Sequence, residues 1–262
     1  MKDLIVAWQD AVTRRWHTVG RLGRTETGRY YFVYTEGAKE SPNFEPFGRM
    51  TDLHAVYLAA DMFPLFANRM LPKSRPDYKA YIRWLGLQEH EVDELEVLGR
   101  SGGIRATDKL ELFPCPEPDD RGRYIGYFFV HGLRYLPLEH VQRFNELRAG
   151  DRLFVARDIQ NPVDPNALFL RTGDPVSLVG YCPRYLASEF SEFVRVVGAA
   201  DFHVTVEQLN TDAPYDLRIL CRVASPWPHG YEPCSRGAFK PLVDMQTLHR
   251  DDKNRQVSHV AS

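Results

Sequence analysis

The sequence predicts an α+β protein of two small domains, a β-hairpin and helix domain followed by a barrel-like β domain. Three observations carry that expectation. Apolar runs of strand length flank glycine-bounded turns both near the N-terminus and beyond the middle of the chain. Between them lies a stretch with helical periodicity. Residues 114–123, PCPEPDDRGR, combine three prolines with charged turn formers and mark a boundary. The expected layout is a first domain over 1–115, a proline-rich linker over 116–123, a second domain over 124–239 and a polar, mobile tail over 240–262.

The elements follow in order. Leu4–Trp8 reads as a strand, and Trp16–Leu22 with Tyr30–Tyr34 form a hairpin about Gly23–Gly28. From Thr51 the spacing of Leu53, Tyr57, Leu58 and Met62 predicts a helix, which Pro64 interrupts before Phe66 and Met70. Pro76 suits the start of a helix carrying Tyr78, Tyr81, Ile82 and Leu85 and ended by Gly86. Val92, Leu95 and Leu98 continue a helical pattern to Gly99, and Leu110–Phe113 is a short strand. Strands are expected at Ile125–Val130, Leu153–Arg157, Ala167–Leu170, Leu178–Tyr181, Val204–Leu209 and Leu217–Val223. A short helix spans Pro137–Leu147. A longer one from Pro183 buries Leu186, Phe190, Phe193 and Val197, at intervals of four, three and four.

Composition bounds the function. The 262 residues are 44% hydrophobic and 12% aromatic, enough for real cores. A net charge of -2 argues against a protein that coats nucleic acid by charge alone. Cys115, Cys182, Cys221 and Cys234 form no CxxC pair, so the plain reading is reduced thiols without a zinc site. The N-terminus lacks a signal-peptide core, and no apolar run reaches membrane-spanning length. A soluble, cytoplasmic protein without cofactor is expected. Neither a nucleophile elbow nor a phosphate loop is visible, since Gly99–Gly103 lacks the lysine and threonine that such a loop needs, and no enzymatic activity is expected.

Three segments of the second domain carry its chemistry: Gly132-Leu133-Arg134-Tyr135, then Asn161-Pro162-Val163-Asp164-Pro165-Asn166-Ala167, then Val179-Gly180-Tyr181 running on to Leu186-Ala187. In order, spacing and flanking strands, residues 125–224 resemble the HIRAN domain. The resemblance implies an OB-like β fold that grips the 3′ end of single-stranded DNA. More weakly, Phe66–Pro72, Leu85–Leu87 and Leu98–Gly103 resemble the N-terminal subdomain of HipA-like kinases, which in some toxin–antitoxin systems is a separate protein docking on the kinase. Two departures matter. The residue before Asp164, aromatic in DNA-binding HIRAN domains, is Val163 here, and no kinase motif follows either domain.

A 3′ terminus differs from an internal nucleotide by its free hydroxyl. A fixed carboxylate accepts a hydrogen bond from that hydroxyl and repels a phosphate in its place, an effect of about 1.5–3 kcal/mol. Asp164, between two prolines, fits that role; equally, Asp164 and Asn166 could merely cap nearby amides as an Asx-turn. Tyr135 offers a face for a terminal base, at about 1–3 kcal/mol, or could be a core residue. Arg134 and Arg184 suit phosphate oxygens, or could be solvated. Asn161 could place a donor near the terminal phosphate or serve the turn alone, and Tyr181 could touch a nucleotide or pack in the barrel. From 125 to 224 there are ten Arg, no Lys and twelve Asp plus Glu, so any DNA binding must rest on a few placed contacts.

Two functions are expected to compete. One is a non-enzymatic protein that binds a 3′-hydroxyl single-stranded end and pairs with a HipA-like kinase or another effector in bacterial toxin–antitoxin or antiphage defence. The other is an antitoxin-like regulator of such a kinase that has lost DNA binding.

Overall fold

The computed structural model describes residues 3–245 apart from 106, 162, 163, 165 and 236. Within them the chain folds as mixed α and β structure with two sheets, one in each of two compact units. The first unit comprises residues 3–71, 93–115 and 232–245, the second residues 72–92 and 116–231. The crossing at 115/116 lies inside the proline-rich stretch. The segment 72–92 belongs to the second unit, and residues 232–245 return to the first. The tail expected from 240 is therefore structured at its start: the Leu242 amide donates to the Tyr34 carbonyl at 2.9 Å, and Pro241 bridges Thr35. Its remainder, 246–262, lies outside the described residues.

The first unit is an antiparallel sheet of order β4-β3-β2-β1-β5, built from β1 (Leu4–Gln9), β2 (Trp16–Arg24), β3 (Tyr30–Tyr34), β4 (Tyr57–Ala59) and β5 (Leu110–Pro114). All five residues of β3 are buried, because apolar groups cover both faces: Phe32 and Tyr34 point into the main core, Tyr31 and Val33 into a smaller cluster with Leu58 and Val243. That two-sided covering explains β4, where a helix was expected. Tyr57 packs with Phe32, whereas its neighbour Leu58 packs with Tyr31, an alternation that only a strand provides. Helix α1 is a single turn (Pro64–Ala67), and Phe66 is wholly buried. Helix α3 (Glu94–Ser101), capped by the Asp93 carboxylate, runs through Gly99 and stops at the left-handed Gly102.

The second unit is a six-stranded sheet of order β6-β11-β10-β7-β8-β9. Its strands are β6 (Arg123–Phe129), β7 (Arg152–Arg157), β8 (Leu168–Arg171), β9 (Leu178–Tyr181), β10 (His203–Leu209) and β11 (Ile219–Pro226). The sheet curls until its edges touch: just beyond β6, His131 and Tyr181 exchange both backbone hydrogen bonds at 2.9 Å. Helix α5 (Arg184–Val197) sets Leu186, Phe190 and Phe193 against the inner face, where the Phe190 ring lies 5.4 Å from that of Phe128 and 5.3 Å from that of Phe202. Helix α4 (Leu138–Phe144) adds Phe144. Helix α2 (Tyr78–Trp84) belongs to this unit as well: the Trp84 indole donates to Asp212 at 3.0 Å, and Asn210 donates to the Trp84 carbonyl at 2.9 Å. Cys182 and Cys221 are buried, free thiols whose ionisation burial pushes well up.

Among the described residues no helix is long and apolar enough to cross a membrane, and no group of three His, Cys, Asp or Glu side chains could hold a metal ion.

Candidate nucleic-acid interface

The β7–β8 hairpin loop, the end of β9 and the start of α5 meet at one corner of the second unit. The loop is pinned at its base by Asp158 N–H to Ala167 O at 2.9 Å and by Ala167 N–H to Asp164 O at 3.1 Å. Within it, Asn161 Oδ1 accepts from the Asp164 amide at 2.9 Å, and Asp164 Oδ1 accepts from the Asn166 amide at 2.9 Å. The Asx-turn is therefore present. It occupies one carboxylate oxygen, and the other, Oδ2, accepts from Arg184 Nε at 3.0 Å. A carboxylate has about four lone-pair sites, so turn-making and recognition are compatible in one side chain. The Asp164 side chain is 16% exposed and that of Arg184 34%. Pro162, Val163 and Pro165 lie outside the described residues.

Asp158, which sequence reasoning did not single out, joins this cluster to the sheet. Its Oδ2 accepts from the Tyr181 hydroxyl at 3.0 Å and from Asn161 Nδ2 at 3.1 Å. Those bonds hold the Asp158 carboxyl below its usual range. Partial burial, with Asp158 beside it, pushes the Tyr181 phenol up. Five of the seven candidate residues (Asn161, Asp164, Asn166, Tyr181 and Arg184) thus stand in one chain of hydrogen bonds. The Asp-x-x-Asn spacing of 158–161 was the available signal for the missing hub.

Arg134 and Tyr135 come from the other side of β9. Gly132, at φ 80°, turns the chain out of β6 into a short 3-10 helix, Leu133–Tyr135, whose Leu133 is buried. Tyr135 is 83% exposed, which excludes the core reading and leaves an aromatic face in water. Arg134 is held elsewhere: its guanidinium reaches both oxygens of Asp216, at 2.8 and 2.9 Å, with both side chains more than half exposed. Nothing in the sequence pairs positions 82 apart. An exposed pair contributes about 0.2–1 kcal/mol, so Asp216→Asn, by releasing Arg134, should raise affinity for a single strand by up to about fivefold in a direct titration.

Beside this turn, burial lowers the proton affinity of His131, with the Asp216 charge opposing in part. Because the folded state binds that proton less well than the unfolded chain, stability is lost as pH falls below the unfolded value of about 6.5. Denaturant titrations at pH 7.5 and 5.5 should show the second unit weakening at the lower pH, and His131→Gln should reduce that difference.

Residues 125–227 match the family described as the HIRAN domain, so the curled sheet with its corner cluster is a HIRAN domain. No curated protein matches the chain. A crystal structure of a protein from Lactobacillus plantarum matches 40% of this chain and 97% of its own at 19% identity, with a TM-score of 0.30, too low to carry any argument.

Proposed function

We propose that this HIRAN domain binds the 3′-hydroxyl end of single-stranded DNA and that the protein is a sensor or accessory subunit without catalytic activity. The observation that carries this reading is the Asp164–Arg184 pair at the first turn of α5. A guanidinium with five N–H donors can hold a carboxylate and a phosphate oxygen together. The helix N-terminus, with no acidic residue in its first turn and no side-chain cap, adds partial positive charge for the last internucleotide phosphate. Asp164 then accepts from the terminal hydroxyl and repels a terminal phosphate. Tyr135 stacks on a terminal base. The touching sheet edges at His131 and Tyr181 support an OB-like reading of the curled sheet.

The test is fluorescence anisotropy at low salt with two short labelled strands, one ending in a 3′-hydroxyl and its twin in a 3′-phosphate. The hydroxyl strand should bind about tenfold or more tightly, the effect of one charge-assisted hydrogen bond. Equal binding of the two removes Asp164 from end recognition.

A second reading rests on the Arg134–Asp216 pair and the acidic balance of the domain: a regulator that acts through protein contacts and does not bind DNA. In either reading residues 1–115, with the Phe66–Pro72, Leu85–Leu87 and Leu98–Gly103 segments, are the part proposed to engage a HipA-like kinase or another effector of a cytoplasmic toxin–antitoxin or antiphage system. Co-purification with such a kinase, together with no retention on single-stranded DNA at low salt, would favour the second reading.

A further inference from the structure

Arginine is not spread evenly over the second unit. Strand pairing sets Thr205 opposite both Arg152 on β7 and Arg222 on β11, and sets Phe154 opposite Arg171 on β8. Opposed residues share a face of the sheet, and here it is the outer one, since the alternating neighbours Leu153, Leu170, Val204, Cys221 and Val223 are all in the core. The Phe154 ring lies between two guanidinium groups, with the Arg152 carbon 5.2 Å from its centroid and the Arg171 carbon 5.0 Å away. It is one of the few large apolar side chains left exposed, at 37%.

Most other arginines of this unit are matched with carboxylates: Arg75 with Asp77, Arg83 with Asp212, Arg123 with Asp119, Arg134 with Asp216, Arg143 with Glu146, Arg184 with Asp164 and Arg195 with Glu192. Among the described residues Arg152, Arg171 and Arg222 are in no ion pair. Exposed Glu207 on β10 sits where the pairing of β10 with β11 shifts register. The row also continues toward the candidate end site, because Phe169, next along β8 on this face, is paired with Tyr181.

We infer that this outer face is a track for the body of the single strand, 5′ of the terminus held at Asp164 and Arg184. The inference rests on the end-binding reading for its direction and goes beyond it in extent. Phe154 supplies a stacking face, which is indifferent to base identity, and Arg152, Arg171 and Arg222 meet successive phosphates. Three guanidinium groups around an aromatic ring, contiguous with an end site, complement a polyanion carrying bases. Strands in a sheet lie about 4.8 Å apart, so the row from β9 to β11 is wide enough for about four nucleotides, the lower end of what a small β-barrel binds.

The experiment uses the full chain and 5′-labelled strands of about three, six, nine and twelve nucleotides, each ending in a 3′-hydroxyl or a 3′-phosphate, at several salt concentrations. The expected result is affinity that rises about tenfold or more between three and nine nucleotides and then levels off. Arg152→Gln combined with Arg222→Gln should remove most of that gain and lower the salt slope by more than one unit, at about 0.7 per phosphate contact. Phe154→Leu, which keeps the apolar packing and removes the π-face, should weaken the longer strands and leave the shortest unchanged. Both variants should keep the preference for a 3′-hydroxyl over a 3′-phosphate. Affinity independent of length, or variants that retain the full length gain, would overturn the track while leaving end recognition intact. Length dependence without end discrimination would instead sink the Asp164 role, and no binding by any strand would overturn both.

Discussion

Replacing Asp164 and Tyr135 together with alanine should lower the affinity for a 3′-hydroxyl single strand by about seventyfold or more. One charge-assisted hydrogen bond and one base stack are lost, at about 1.5–3 and 1–3 kcal/mol respectively. The two side chains stand on different loops, one beyond β6 and the other between β7 and β8, and they share no hydrogen-bond partner, so their effects should add. The single variants separate the roles. Tyr135→Ala should weaken hydroxyl and phosphate ends alike, because stacking does not sense the terminus. Asp164→Ala removes the carboxylate that Arg184 Nε now faces, so it should do more than weaken the hydroxyl end. It should make the phosphate end the preferred ligand. A titration that finds the Asp164→Ala protein still rejecting the phosphate would show that end discrimination lies elsewhere.

The second large effect is expected at Gly180, where β9 approaches the far edge of the curled sheet. A Cβ there would lie 2.4 Å from Val130 Cγ1 and 2.7 Å from the His131 carbonyl oxygen, and the residue holds φ at +146°. Gly180→Ala therefore carries both backbone strain and overpacking, about 1–3 kcal/mol each. A summed loss of about 2–6 kcal/mol would be a large fraction of a small domain's stability. Gly150→Ala is the comparison, since Gly150 also has positive φ but an added Cβ meets nothing within 4 Å. If the two variants unfold at similar denaturant concentration, the close approach at the edges is unimportant. Amide hydrogen exchange at His131 and Tyr181 should report the difference locally, with faster exchange in Gly180→Ala than in Gly150→Ala.

The elements of the second unit were legible because its apolar residues obey one period at a time. The two-residue repeat of β10 and the 4-3-4 spacing of α5 each correspond to one buried face. The run from Leu53 to Met62 was harder, since its strand β4 is only three residues long, too short to show an alternation that would tell it from a helix. Of the candidate site, the loop and helix residues were legible because they cluster within a few positions of Asp164 and Arg184. Asp158 was not, although only two hydrogen bonds from Asp164 in the same network, because an aspartate after a strand is an ordinary turn residue until its partners are known. Asp216 was invisible for a different reason: it meets Arg134 only through the folding of the sheet, and no local rule links them. The unevenness of arginine was equally hidden, as a count of charges carries no information on which face of a sheet they share.

The chain passes between its two units four times, at 71/72, 92/93, 115/116 and 231/232, and this ordering has a consequence for synthesis. As the protein leaves the ribosome, α2 emerges before the sheet that it docks on, with Trp84 waiting for Asn210 and Asp212. The first unit waits longer still. The end of its β3 is paired by Pro241 and Leu242, which are translated only after every strand of the second unit. A nascent chain of any length short of about 245 residues therefore exposes part of the first core, and folding from the N-terminus forward, the usual order for tandem domains, cannot be completed here. The unit that contains the HIRAN domain is the one able to close first, and the earlier-made unit finishes last.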